Sequence, residues 1–273
     1  MLLAESDNLL RRRLTLNTVI SRDGTAIAYD RAGAGPAVIL VGGGPTDRSS
    51  NASVVDALAP FFTVYNYDRR GRGDSADTAP YAAVREYEDL GAVIVEAGGS
   101  AHVYGTSGGG ILALRAAAHG LAITRLAVWE APYIVDDSRP AVPADYREQL
   151  IELLSEGRRG DMLELFFVKA ANLPVEFVAP MRQSPFWPAM EKTAHTLVYD
   201  ATVTGDFSLP IGELAAVTMP TLVIDGGTTP WLSSTAEALA AALPDAHRRT
   251  LPGQPHNVDA AAIAPALAEF FGA

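Results

Sequence analysis

Five short apolar runs frame this chain: residues 37–41, 62–67, 101–104, 126–129 and 221–224. They are nearly continuous rather than alternating, which predicts strands buried on both faces of a parallel sheet. Helical patterning fills most of the intervals, over residues 53–58, 82–96, 111–119 and 231–243, with a last helix over 260–271. Ahead of these, residues 14–21 and 25–30 predict a hairpin around Arg22-Asp23-Gly24, where glycine can supply the positive φ of the turn. An antiparallel start followed by repeated strand and helix predicts an α/β sheet with helices on both faces.

The alternation stops between residues 132 and 220. No strand pattern stands out there; helical periodicity recurs around 146–154, 162–171 and 190–200, with Pro174, Pro180, Pro185 and Pro188 between the segments. This predicts a helical cap of residues 132–220 inserted into a core of 14–131 and 221–273, with 1–13 as an N-terminal extension. In an open parallel sheet ligands bind beyond the carboxyl ends of the strands, so such an insertion would roof the pocket. Phe166, Phe167, Met181, Phe186 and Trp187 are candidates to line it, with Tyr133 where the insertion begins. The competing reading makes these apolar residues the core of the insertion itself.

Candidate chemistry is densest at Gly105-Thr106-Ser107-Gly108-Gly109, a G-x-S-x-G pattern between an apolar run and an alanine-rich helical segment. Such a turn forces the backbone to reverse sharply from strand to helix and leaves the serine Oγ exposed at the positive end of the helix. A serine hydroxyl is a poor nucleophile unless an imidazole takes its proton and a carboxylate orients that imidazole. His256, in Pro252-Gly253-Gln254-Pro255-His256-Asn257 shortly before the last helix, is the candidate base.

Composition narrows the partners. The 273 residues can bury a large core, and 48% hydrophobic with 19% charged residues describes an ordinary globular protein. A net charge of -11 argues against nucleic acid and anionic membrane. The absence of cysteine excludes disulfides, thiolate metal sites and a cysteine nucleophile. Residues 1–7 lack a basic, apolar leader pattern and no stretch is long enough to span a bilayer, so the expectation is a cytoplasmic protein. His102, His119, His195, His247 and His256 show no ligand-like spacing with carboxylates, and Gly42-Gly43-Gly44-Pro45 fits neither phosphate-cradling pattern, so no metal and no cofactor are expected. Arg69, Arg70 and Arg72 could hold an anionic substrate; a structural turn, with Asp68 or Asp74 pairing an arginine, is the preferred reading.

Taken in order, these segments resemble the α/β-hydrolase superfamily over nearly the whole chain. Val38-Ile39-Leu40-Val41-Gly42-Gly43-Gly44-Pro45 is similar to the strand and loop ending His-Gly-Gly-Pro in many relatives, with Gly42 in place of His. Tyr67 to Ser75 resembles the D-x-R-G-x-G-x-S loop, and Pro220 to Ile224 the penultimate strand. The resemblance implies a mostly parallel eight-stranded sheet with an inserted helical cap, and a Ser-acid-His chain order. It also implies an oxyanion hole built from the Gly108 amide and that of Gly44 or Gly43.

The acid is open. Relatives commonly carry it in G-x-x-D-x-x-x-P after the strand that follows the cap; here Gly226-Gly227-Thr228-Thr229-Pro230 has threonine in its place. Glu130, directly after the run 126–129, resembles the acid of zearalenone lactonases and some haloalkane dehalogenases and is the preferred candidate. Asp225 is the alternative, and a chain with no acid the third. Because Ser107 is not an aspartate, epoxide hydrolase and dehalogenase chemistry through an alkyl ester is not expected. The expected reaction is cleavage of a hydrophobic small-molecule ester or lactone through an acyl-enzyme on Ser107. A lyase, cyclase or cofactor-free oxygenase of the same fold, or a degenerate ligand-binding protein, is the alternative.

Overall fold

The computed structural model describes residues 17–272. The chain starts with β1 (Asn17–Ile20) and β2 (Ala26–Ala32), paired antiparallel across a turn in which Gly24 has φ 86°. Asp23 Oδ1 accepts from the backbone N–H of Thr25 at 3.1 Å and from its hydroxyl at 2.6 Å, closing the turn. Residues 14–16 of the expected hairpin lie outside the described residues.

The remaining strands are β3 (Ala37–Val41), β4 (Thr63–Tyr67), β5 (Ala101–Thr106), β6 (Ile123–Trp129), β7 (Thr221–Gly227) and β8 (Ala246–Gln254). They form one sheet in the order β1-β2-β4-β3-β5-β6-β7-β8, antiparallel through β1, β2 and β4 and parallel from β4 to β8. β8 departs from the pattern-based expectation. It is an edge strand, Ala-His-Arg-Arg-Thr-Leu-Pro-Gly-Gln, with no fully buried position, so it presents no apolar run to read.

Helices α1 (Ala52–Leu58), α2 (Ala83–Glu96) and α3 (Gly108–Ala118) separate the first parallel strands. Alternation along the strands sorts their side chains to two faces. Ile39 and Val41 join a cluster with Leu90, Val93, Ile111 and Leu114, whereas Val38 and Leu40 join Val54 and Leu58 with Ile263 and Leu267 of the C-terminal helix. Two cores therefore sandwich the sheet.

Between β6 and β7 lie α4 (Tyr146–Ser155), α5 (Arg159–Leu165), α6 (Val175–Met181), α7 (Trp187–Thr193), α8 (Leu197–Thr204) and α9 (Ile211–Leu214). The only described β pairing in this segment is one isolated bridge between its two flanks, Ile134 to Ser208. α5 runs into a π-helical turn over Phe166–Ala170, and a 3-10 turn over Ala194–Thr196 joins α7 to α8. α6 was not legible among its prolines: Pro174 occupies its N-cap and Pro180 its last turn. Tyr146, Leu150, Met162, Leu163, Trp187 and Leu197 gather into a third apolar cluster. Beyond β7, α10 (Pro230–Ala242) packs beside β7 and β8, and α11 (Ala260–Phe271) covers the face shared with α1. No described helix is long and apolar enough to cross a membrane.

The arginine cluster after β4 is a buried ion-pair network. Arg69 clasps Glu86 of α2 at 2.6 and 2.8 Å and reaches Asp200 of α8 at 2.8 Å; Arg72 meets the same Asp200 oxygen at 2.8 Å. Arg70 pairs with Asp89 and Asp23. Burial pushes the Glu86 carboxyl up, but the Arg69 charge and hydrogen bonds outweigh it and hold the group below its ordinary value. Asp68 and Asp74 pair instead with Arg48. These guanidinium groups are thus committed to carboxylates that tie the loop to α2 and to the segment before β7.

Candidate active site

β5 ends at Thr106, and α3 starts at Gly108. Ser107 between them has φ 53° and ψ −127°, a conformation that L-residues rarely adopt. Its N–H donates to Trp129 O at 2.8 Å, which stitches the turn to the end of β6. The turn is tight enough that only glycine fits around it: a Cβ on Gly43 would lie 2.4 Å from Thr106 O and 2.9 Å from Ser107 Cβ. The loop Gly42-Gly43-Gly44-Pro45 therefore rests directly against the serine. Gly44 has φ 58°, and the rim of the Phe166 ring lies 3.7 Å from where its Cβ would be. Among the described residues, the amides of Gly43, Gly44 and Gly108 have no hydrogen-bond acceptor.

Glu130, the first residue after β6, has φ 44°. Its carboxylate is fully buried, with Oε1 accepting from Gly226 N–H at 3.0 Å and Oε2 lying 2.6 Å from His256 Nδ1. Both oxygens are thereby satisfied, as a buried charge requires. His256 is anchored a second time where its carbonyl accepts from the Trp129 indole at 2.8 Å, while its imidazole remains about half exposed. A Cβ on Gly226 would fall 1.9 Å from Gln254 O, so glycine there lets the histidine loop close onto β7. Burial, and then the Glu130 charge, pushes the Tyr104 phenol of β5 up.

Asp225, also fully buried, faces elsewhere. Its oxygens accept from Arg248 Nε at 2.9 Å, Thr250 Oγ1 at 3.1 Å, Ser233 Oγ at 2.9 Å and Gly227 N–H at 3.1 Å, and it makes no contact with His256. Thr229 begins α10 as its N-cap.

The expected pocket-lining residues separate. Phe166, Phe167, Met181 and Trp187 all pack with the third apolar cluster, Phe166 also standing beside Gly44 and the Trp187 indole donating to Glu191 at 3.0 Å. Phe186 corrects the expectation: at the N-cap of α7 it is 74% exposed and turned to solvent. Tyr133 is a second correction. It is buried in the sheet's own core, held there by Thr235 Oγ1 donating to its carbonyl at 2.6 Å. Sequence patterning did not single out Trp129, Gly226 or Thr193; only Gly226 carried a signal, as a glycine at a strand end.

No curated protein matches the sequence. Among solved structures, an alpha/beta hydrolase from Sphaerobacter thermophilus is similar at 54% identity and a TM-score of 0.90, covering 93% of this chain and 100% of its own. A hydrolase from Pseudomonas aeruginosa is similar at 26% identity and 0.74, covering 96% and 100%. A thermophilic esterase from Thermogutta terrifontis shares the fold at 20% identity and 0.72, covering 94% and 98%. The model of the alpha/beta hydrolase family matches residues 37–266. This chain belongs to the alpha/beta hydrolase family.

Proposed function

We propose that this protein is a serine hydrolase that cleaves a carboxylic ester or lactone of a hydrophobic small molecule through an acyl-enzyme on Ser107. The observation that carries the reading is the His256 Nδ1 to Glu130 Oε2 contact of 2.6 Å, formed at a strand end hydrogen-bonded to the strained serine turn. A buried carboxylate on Nδ1 fixes the tautomer that leaves Nε2 free to take the Ser107 proton, and stabilises the imidazolium that results. The serine oxygen then attacks the acyl carbon. The oxyanion is met by the Gly108 amide and by that of Gly44 or Gly43, preorganised donors of which each is worth about 3 to 4 kcal/mol when judged by removal. The imidazolium returns its proton to the departing alcohol, and water, activated by the same imidazole, releases the acid.

Phe166 beside Gly44 supports an apolar substrate, and esterases of Thermogutta terrifontis and Rhodococcus share this fold. Two shape arguments favour hydrolysis over a binding role. A nucleophile strained to φ 53° and a carboxylate held at φ 44° are costs that ligand binding alone does not require.

Turnover of p-nitrophenyl esters by wild type and Ser107→Ala tests the reading, with a fluorophosphonate label mapped to its peptide. Loss of turnover to a residual of about 10³ to 10⁴ over water, and labelling on Ser107 alone, is the expected result. Comparable turnover by both proteins rules out covalent catalysis and favours the lyase or oxygenase class.

A further inference from the structure

The loop that carries the second oxyanion donor is held from outside. Gly42 O lies 3.5 Å from Arg69 Nη1, Thr46 Oγ1 donates to Gly43 O at 2.8 Å, and Thr193 Oγ1 donates to Pro45 O at 2.8 Å. A peptide group is planar, so fixing a carbonyl fixes the direction of the next residue's N–H. The hydroxyl on Gly43 O therefore sets the Gly44 N–H. Thr193 in turn fixes the Pro45-Thr46 peptide, and with it the residue whose hydroxyl does the setting.

Gly44, at φ 58° and without a Cβ, has the freedom to turn that amide away, so the loop needs such a brace. Thr193 is well placed for it, being 8% exposed at the C-terminal end of α7 while Pro45 is also buried. Its hydroxyl lies 3.0 Å from Met190 O as well, but one proton serves one acceptor at a time and the shorter contact is to Pro45. Arg69, through Asp200 of α8, ties the other end of the loop to the same helical segment.

We infer that Thr193, acting through Thr46, is a positioning residue that aims the Gly44 amide at the developing oxyanion. The segment between β6 and β7 thereby contributes to the chemical step, beyond any part it takes in choosing the substrate. This rests on the serine-hydrolase reading above.

The test is steady-state hydrolysis of p-nitrophenyl butyrate by Thr193→Val, Thr193→Ser and Thr46→Val, with the rate of fluorophosphonate labelling of Ser107. Removing a whole oxyanion donor costs about 10² to 10³ in kcat, and misaiming one should cost about tenfold. Thr193→Val should lower kcat and the labelling rate together by that factor with KM little changed. Thr193→Ser should restore both, and Thr46→Val should reproduce the loss if the valine at 193 fails to fold. A purely structural role for Thr193 would shift Tm without this split. Wild-type kcat in Thr46→Val or in folded Thr193→Val, or equal impairment of the serine and valine variants, overturns the inference while Ser107-dependent turnover stands. Turnover that survives Ser107→Ala overturns both.

Discussion

Two histidine and carboxylate pairs in this molecule are built with opposite burial. In the first, Glu130 is fully buried and His256 is 48% exposed, with 2.6 Å between Oε2 and Nδ1. In the second, across the seam between the loop after β4 and the helical segment, His195 is the more buried partner and Asp77 the more exposed, with 3.4 Å between Oδ2 and Nε2. The Asp77 carboxylate already accepts from the Tyr199 hydroxyl, which lies 2.9 Å from Oδ2 and 3.0 Å from Oδ1, and His195 Nδ1 is buried. A proton-transfer base needs an acid fixed behind it and an open nitrogen in front. Only the first pair has that polarity, so proximity of a histidine to a carboxylate teaches less than which of the two is buried.

The largest effect expected from breaking this contrast is on Glu130. In the serine-hydrolase reading, Glu130→Gln lowers kcat by about 10³ to 10⁴, because an amide can present the wrong partner to Nδ1 and cannot stabilise the imidazolium. Circular dichroism must show the variant folded, since Gly226 also leans on that side chain. Near-wild-type kcat in the folded variant would return the acid role to another group.

Asp225 sharpens the same comparison from the neighbouring strand end. Its four donors make it a structural carboxylate, so Asp225→Asn should weaken folding by about 1 to 3 kcal/mol, the cost of leaving buried partners unsatisfied. Urea titration measures that loss, and kcat per folded molecule should stay within a few-fold of wild type. A kcat collapse at unchanged stability would invert the assignment of the two residues.

Much of the fold was legible because buried parallel strands must be apolar throughout: β3 and β4 lie within a residue of the runs at 37–41 and 62–67. The edge strand β8 escaped for the complementary reason, since His247 to Thr250 are polar and exposed in succession and leave no period to find. The serine turn was legible as a local pattern, Gly105 to Gly109, because steric crowding there dictates small residues. The environment of His256 was legible only in part, as its partner lies 126 residues away: resemblance favoured Glu130, but the residues alone left Asp225 and a chain with no acid open. Long-range side-chain pairs such as Thr193 with Pro45, or Arg69 with Glu86 and Asp200, leave no spacing signal at all. Phe186 misled because an aromatic residue next to a buried tryptophan reads as apolar lining, although a helix N-cap can turn it outward.

The smallest effect concerns the second pair and concerns stability alone. Burial, with help from Arg159 and Arg72, lowers the His195 pKa below its usual value, and Asp77 only partly opposes this. The unfolded chain therefore binds a proton near pH 6.5 that the native state declines until lower pH. Between those two values the unfolded state carries more protons, so stability rises with pH and is lost as pH falls. The slope from one such group stays below about 1.4 kcal/mol per pH unit. Urea titrations of wild type and His195→Gln at pH 5, 6 and 7 isolate it from His102, whose pKa is also lowered by burial and which both proteins keep. The variant should show the flatter profile. A wild type that gains stability on acidification relative to His195→Gln would mean that Asp77 dominates, and that the seam pair behaves as an ion pair rather than as a buried neutral imidazole.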